Sequence, residues 1–119
     1  MATKEQLFDD VSMALDGWVS DMTDSLTNTE APLEWVDDVG PYRVISEALT
    51  AAGVAPQAVR AVLSEGLRGF AHTIFVALDG GTRLAEHGRL YVVDGDGKSI
   101  GEGLHESFVD HLLDSGRLA

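Results

Sequence analysis

The chain has 119 residues, a length at which one domain closes a hydrophobic core without metal or disulfide staples. It contains no cysteine, which removes disulfides, thiolate zinc sites and thiol nucleophiles. Its 20 acidic side chains against 8 basic ones give a formal net charge of −12, a surface that repels nucleic acid and anionic lipid and attracts basic partners.

The N-terminal MATKEQLFDD places acids where a secretory signal carries bases, and no unbroken apolar run reaches membrane-spanning length. The expectation is a single cytoplasmic domain covering residues 1–119. Arginine outnumbers lysine, and alanine, glycine, valine and aspartate are abundant, a composition typical of a bacterial GC-rich coding sequence.

Thr3 and Gln6 have the spacing of a capping box. Behind them Leu7, Phe8, Val11, Leu15, Trp18, Val19, Met22 and Leu26 recur at steps of three and four, one apolar stripe of a long amphipathic helix. Asp9, Asp10, Asp16, Asp21 and Asp24 take the other positions, and Gly17 weakens the middle. Residues 27–42, TNTEAPLEWVDDVGPY, read as a punctuated connection in which LEWVDD forms a turn of helix.

A second helix fits from Tyr42 to Ala52, with Val44, Ile45, Ala48 and Leu49 facing inward and Gly53 as its stop. Pro56 suits the first turn of a third helix, which the N-terminal helix should pack against. Val59, Val62, Leu63, Leu67, Phe70, Ile74, Phe75 and Leu78 keep the helical period to Asp79. TIFVAL, residues 73–78, therefore reads as helix, although a short apolar run also suits a buried strand. Asp79-Gly80-Gly81 ends the segment.

Leu90 to Val93 is a β-branched and aromatic run followed by DGDG, with Lys98 to Ile100 returning: a hairpin signal. The last helix spans Leu104 to Asp114, with Leu104, Phe108, Val109, Leu112 and Leu113 on its apolar face and Gly116 beyond. The expected fold is thus α+β, mostly helical, with about four helices and one short C-terminal β-hairpin before the last of them.

VVDGDGKSIGEG, residues 92–103, resembles a calcium loop only superficially. With Gly97 at the sixth position of an EF-hand loop, Val92 falls at the first and Gly103 at the twelfth, and neither supplies a side-chain oxygen. With Asp94 first, Ser99 takes the glycine position and His105 the last. Both registers fail, so the acids and glycines are assigned to a turn with positive φ. No metal and no cofactor is expected.

His72, Asp79, His105 and Glu106 converge if the last helix packs on the third, and a histidine beside a carboxylate is the minimum for acid–base work. No nucleophile, phosphate-binding glycine loop or triad order accompanies them. The plainer reading is half-buried histidines bonded to backbone or carboxylate. Glu102, Glu106, Asp110 and Asp114, spaced by four, form an acidic ridge whose mutual repulsion a basic partner would offset. Glu30, Glu34, Asp37 and Asp38 surround Trp35, a residue type that anchors interfaces, though a tryptophan also plugs a core from a loop.

The stretches His72-Thr73-Ile74-Phe75-Val76-Ala77-Leu78-Asp79-Gly80 and Leu104-His105-Glu106 resemble small uncharacterised bacterial immunity-protein-like domains. There, a helix closing on Asp-Gly leads to a short hairpin, and a Leu-His-acid sequence opens a terminal helix. The resemblance implies a helical domain with a small hairpin and a role for His72, Asp79 and His105; it brings no activity.

These readings converge on a non-enzymatic acidic binding domain, immunity-protein-like or inhibitor-like. It would cover the basic surface of a protein partner such as a toxin or nuclease through Glu34, Trp35, Asp37, Asp38, Glu102, Glu106, Asp110 and Asp114. The alternative is a small enzyme or ligand-binding domain using His72, Asp79, His105 and Glu106. Homodimerisation through the N-terminal helix is a third reading, and neither nucleic acid nor membrane is expected to bind.

Overall fold

The computed structural model describes residues 2–118. Its elements are α1 (Lys4–Thr27), α2 (Val39–Ala51), α3 (Pro56–Leu78), a 3₁₀ turn over Arg83–Glu86 and α4 (Leu104–Asp114). They form two compact units. One comprises the described residues up to Ala14 and from Arg68 onward; the other is Leu15–Leu67.

The helix ends follow from local chemistry. At the start of α1, Gln6 N–H donates to Thr3 Oγ1 (3.2 Å) and Thr3 N–H donates to Gln6 Oε1 (2.9 Å), the reciprocal capping box. Three helices close on left-handed glycines: Gly53, Gly80 and Gly116 have φ of 69°, 83° and 77°. After α3, Gly80 N–H donates to Ala77 O and Gly81 N–H to Val76 O, which satisfies carbonyls the helix leaves open.

The first unit is built on three phenylalanines. Phe8 of α1 meets Phe75 of α3 edge-on (5.4 Å between ring centroids) and Phe108 of α4 at a tilt (5.5 Å), and Phe75 lies 4.9 Å from Phe108. Ala71, Leu104 and Leu112 complete this core. Each phenylalanine buried this way contributes about 1.5–3 kcal/mol. Lys4 ties the start of α1 to the start of α4, its Nζ donating to Ser107 Oγ (3.1 Å) and Glu102 O (3.3 Å).

The second unit has a small core rich in hydroxyls. Val19, Ala31 and Leu33 are buried with Thr23, Ser25 and Ser46. The hydroxyls are satisfied locally: Thr23 Oγ1 donates to Val19 O, Ser25 Oγ to Asp21 O and Ser46 Oγ to Arg43 O. Arg43 clamps the α1–α2 connection, donating to Thr29 O and Ala31 O.

Three expectations are corrected. The fold is all-helical and not α+β: among the described residues no strand forms, and the expected hairpin reduces to one antiparallel bridge, Val93 to Ser99. A two-stranded ribbon without further strands or a covering helix lacks the packing that sustains a sheet, and Leu90, Tyr91 and Val93 are exposed. The LEWVDD segment makes a turn at Glu34–Trp35 and no helix. Helix α2 turns Ser46 inward, with Tyr42 and Leu49 half-buried, and leaves Val44, Ile45 and Ala48 exposed.

The DGDG turn is held by Asp94. Its Oδ1 accepts from Asp96 N–H (2.8 Å) and Lys98 N–H (3.1 Å), and Gly97 has a φ of 81°. That oxygen is spent on the turn's own backbone.

Candidate functional site

Both candidate clusters take their geometry from helix ends. In the first unit, α4 begins at Gly103, which has no side chain to cap it and a φ of 67°. The missing acceptor comes from Asp79, at the end of α3. Its Oδ1 accepts Leu104 N–H (2.9 Å), and its Oδ2 accepts His105 N–H (2.8 Å) together with the Nδ1 of the His105 ring. The Asp79 side chain is 8% exposed. Burial pushes its pKa up, and the bonds from His105 N–H, the His105 ring and Leu104 N–H together outweigh that, holding it below the ordinary value of 3.8.

His72 on α3 stands edge-to-face with His105, 5.6 Å between centroids, and Glu106 Oε1 lies 3.7 Å from His105 Nε2. The four residues of the acid–base reading are therefore brought together. Asp79 binds the Nδ1 side of His105, which leaves Nε2 as the atom able to move a proton or hold a ligand. No group of three or more histidine, aspartate or glutamate side chains among the described residues has metal-binding geometry. Asp79 has a sufficient structural role as the cap of α4. His111 lies elsewhere on α4, its Nε2 3.5 Å from Asp9 Oδ1 and its ring against Phe8. His87 closes the 3₁₀ turn.

The acidic ridge on α4 is exposed at Glu106, Asp110 and Asp114. Glu102 precedes the helix and lies off its register. Asp110 and Asp114, with Lys4 and Ser107, line a recess of about 240 Å³.

The second unit carries an aromatic cluster at its surface. Trp35 meets Trp18 edge-on (5.4 Å, 81°) and Tyr42 likewise (5.7 Å, 77°). Trp18 is 52% and Trp35 40% exposed, so Trp35 is no core plug and Trp18 lies outside the buried stripe of α1. Glu34, Asp37 and Asp38 follow the chain through this cluster and are exposed. Asp38 also caps α2, its Oδ1 accepting Gly40 N–H at 3.0 Å. Trp18 and Tyr42 are the residues that sequence reasoning left out of this patch. Tyr42 stands seven positions after Trp35 across a loop, a spacing that carries no periodic signal.

No protein-family model matches the chain, and no curated protein or solved structure matches it significantly.

Proposed function

We propose that the protein is an acidic, non-enzymatic binding domain that covers a basic surface on a protein partner, in the manner of an immunity protein or inhibitor. The observation that carries this reading is the half-exposed Trp18–Trp35–Tyr42 cluster accompanied by Glu34, Asp37 and Asp38. Edge-to-face rings offer rigid apolar area with electron-rich faces, and carboxylates beside them suit guanidinium and ammonium groups. The net charge of −12 speeds encounter with such a partner and disfavours acidic ones. The ridge of Glu106, Asp110 and Asp114 supplies a second acidic surface, on the other unit.

The test uses the chain's own fluorescence. Trp18 and Trp35 are its only tryptophans, and both lie in the patch. Basic proteins recovered from the native host by affinity capture are titrated in. A change in tryptophan emission that weakens as salt rises supports the reading. Binding with unaltered emission, or with equal affinity at low and high salt, rejects it.

A second reading rests on Asp79 orienting His105 beside His72: a small ligand-binding or catalytic site. Nitrogen-resolved NMR of the imidazoles, recorded against a small-molecule panel, addresses it. Selective shifts at His72 and His105 favour this site; silence there rejects it.

A further inference from the structure

Trp18, Trp35 and Tyr42 all belong to the second unit, and Trp35 stands between the other two rings, at 81° to Trp18 and 77° to Tyr42. Two rings in contact near a right angle enclose a corner, and a group seated there meets both. Ring faces are electron-rich, so such a corner attracts a cation. Among the described residues, no cation of the chain's own covers these rings: the cation–ring contact is Arg89 over Tyr91, in the first unit. Arg43, the neighbour of Tyr42, is committed to the carbonyls of Thr29 and Ala31. Residues 15–67 carry nine acidic and two basic side chains, so the field of this unit alone favours a positive occupant.

We propose that this corner receives a quaternary ammonium group, carried by a trimethylated lysine of the protein partner. This assignment rests on the reading of the patch as a partner-binding surface and names the group it takes. A primary ammonium or a guanidinium keeps its N–H groups hydrogen-bonded to water, and ring faces replace those bonds poorly. A trimethylammonium has no N–H to satisfy. It carries the same charge and buries its methyl groups against the rings. The nearby acids do not need to bond it. Asp38 Oδ1 is committed to Gly40 N–H, and the exposed Glu34 and Asp37 act through their charge.

Exposure decides the source of the cation. Trp18 remains 52% and Trp35 40% exposed, so the corner is open. A free small molecule binds where roughly 70–90% of its surface is enclosed. An open corner reaches that enclosure only when the body carrying the cation covers the remainder, as a protein does for its own side chain.

The full chain is titrated with a short, otherwise neutral peptide carrying one trimethyllysine, and tryptophan emission is followed. The same peptide with unmethylated lysine, the same peptide with the quaternary nitrogen replaced by carbon, and free choline serve as comparisons. The trimethyllysine peptide should alter the emission and bind at least about tenfold more tightly than the lysine and carbon peptides, the ratio that contact between a cation and a desolvated ring supplies. Trp18→Leu and Trp35→Leu keep apolar area and remove a ring. Each should abolish the preference with unchanged circular dichroism, and Tyr91→Leu, in the first unit, should retain it. Equal binding of the lysine peptide overturns the proposal in favour of a plain ammonium site, and equal binding of the carbon peptide in favour of an apolar patch. Choline binding as tightly as the trimethyllysine peptide overturns the protein source. A preference that survives both tryptophan substitutions, or unaltered emission with every probe at millimolar concentration, overturns the site itself. The wider reading of the patch stands or falls separately, on the salt-dependent emission change with captured basic proteins.

Discussion

Asp79→Ala tests the capping of α4 most directly, and the size of its effect follows from three bonds. The carboxylate caps two N–H groups at the start of α4 and holds the His105 ring. Loss of a helix cap costs about 1 kcal/mol, and loss of a part-buried bond to a charged group about 1.5–3 kcal/mol. Because the cap and the ring share one carboxylate, the sum is not additive, and about 2–4 kcal/mol is expected. Asp79→Asn keeps one acceptor and should cost about half as much. The pH dependence has a definite sign. The folded pKa of Asp79 lies below its ordinary value of 3.8, so its stabilisation is fully present above the unfolded pKa and lost as pH falls through the folded value. Urea unfolding followed by far-UV circular dichroism should therefore show a constant gap between parent and Asp79→Ala near neutrality, closing only in acid below about pH 4. Amide exchange at Leu104 and His105 should accelerate in the variant first, since those N–H groups lose their acceptors. A gap under about 0.5 kcal/mol at neutral pH, or one that persists unchanged well below the folded pKa, refutes the assignment.

Ser12 is 0% exposed and its Oγ has no hydrogen-bond partner, so Ser12→Ala should stabilise the protein by about 1 kcal/mol in urea titration. Gly80→Ala, at a φ of 83°, and Gly81→Ala, whose Cβ would fall 2.7 Å from Val76 Cγ1, should each cost about 1–2 kcal/mol. Gly17→Ala, with nothing within 4 Å, should instead gain about 1 kcal/mol, so a melting temperature that rises for Gly17 and falls for Gly80 and Gly81 is the pattern to look for. Asp94→Ala should speed amide exchange at Asp96 and Lys98 while leaving the helical circular dichroism unchanged, because Asp94 Oδ1 bonds only within its own turn.

What was legible in the sequence was what neighbouring residues decide. Thr3 with Gln6 marked the start of α1, Gly53, Gly80 and Gly116 the stops, and the phase from Val59 to Leu78 kept residues 73–78 helical. The convergence of His72, Asp79, His105 and Glu106 was open to anticipation only as a consequence of α4 packing on α3. Its cause is that Gly103 leaves α4 uncapped and Asp79 lies 25 residues away in sequence. The hairpin misled because β-branched and aromatic residues favour strands only when a neighbouring strand or face packs on them. Here Val93 and Ser99 find each other and nothing extends the pairing. Trp35, Trp18 and Tyr42 come from a loop and two helices, and no single period links them.

The failure on α2 has a physical cause that also bears on α3. On α1, Asp9, Asp10, Asp16, Asp21 and Asp24 are all exposed, and every apolar residue of its stripe except Trp18 is buried or half-buried. There the acids mark the outside, and hydropathy needs only to fill the remainder. Helices α2 and α3 carry one acid each, Glu47 and Glu65, and apolar residues on both sides. Periodicity then offers two faces of similar character. The face that closes the small core of the second unit is the one whose Ser46 finds its own backbone acceptor in Arg43 O, which lets Val44 and Ile45 turn outward. Apolar side chains left outside by such a choice have no local reason to be apolar. On α3 the same ambiguity holds: Ala71 and Phe75 are its buried positions, and Val62, Phe70 and Ile74 stay exposed.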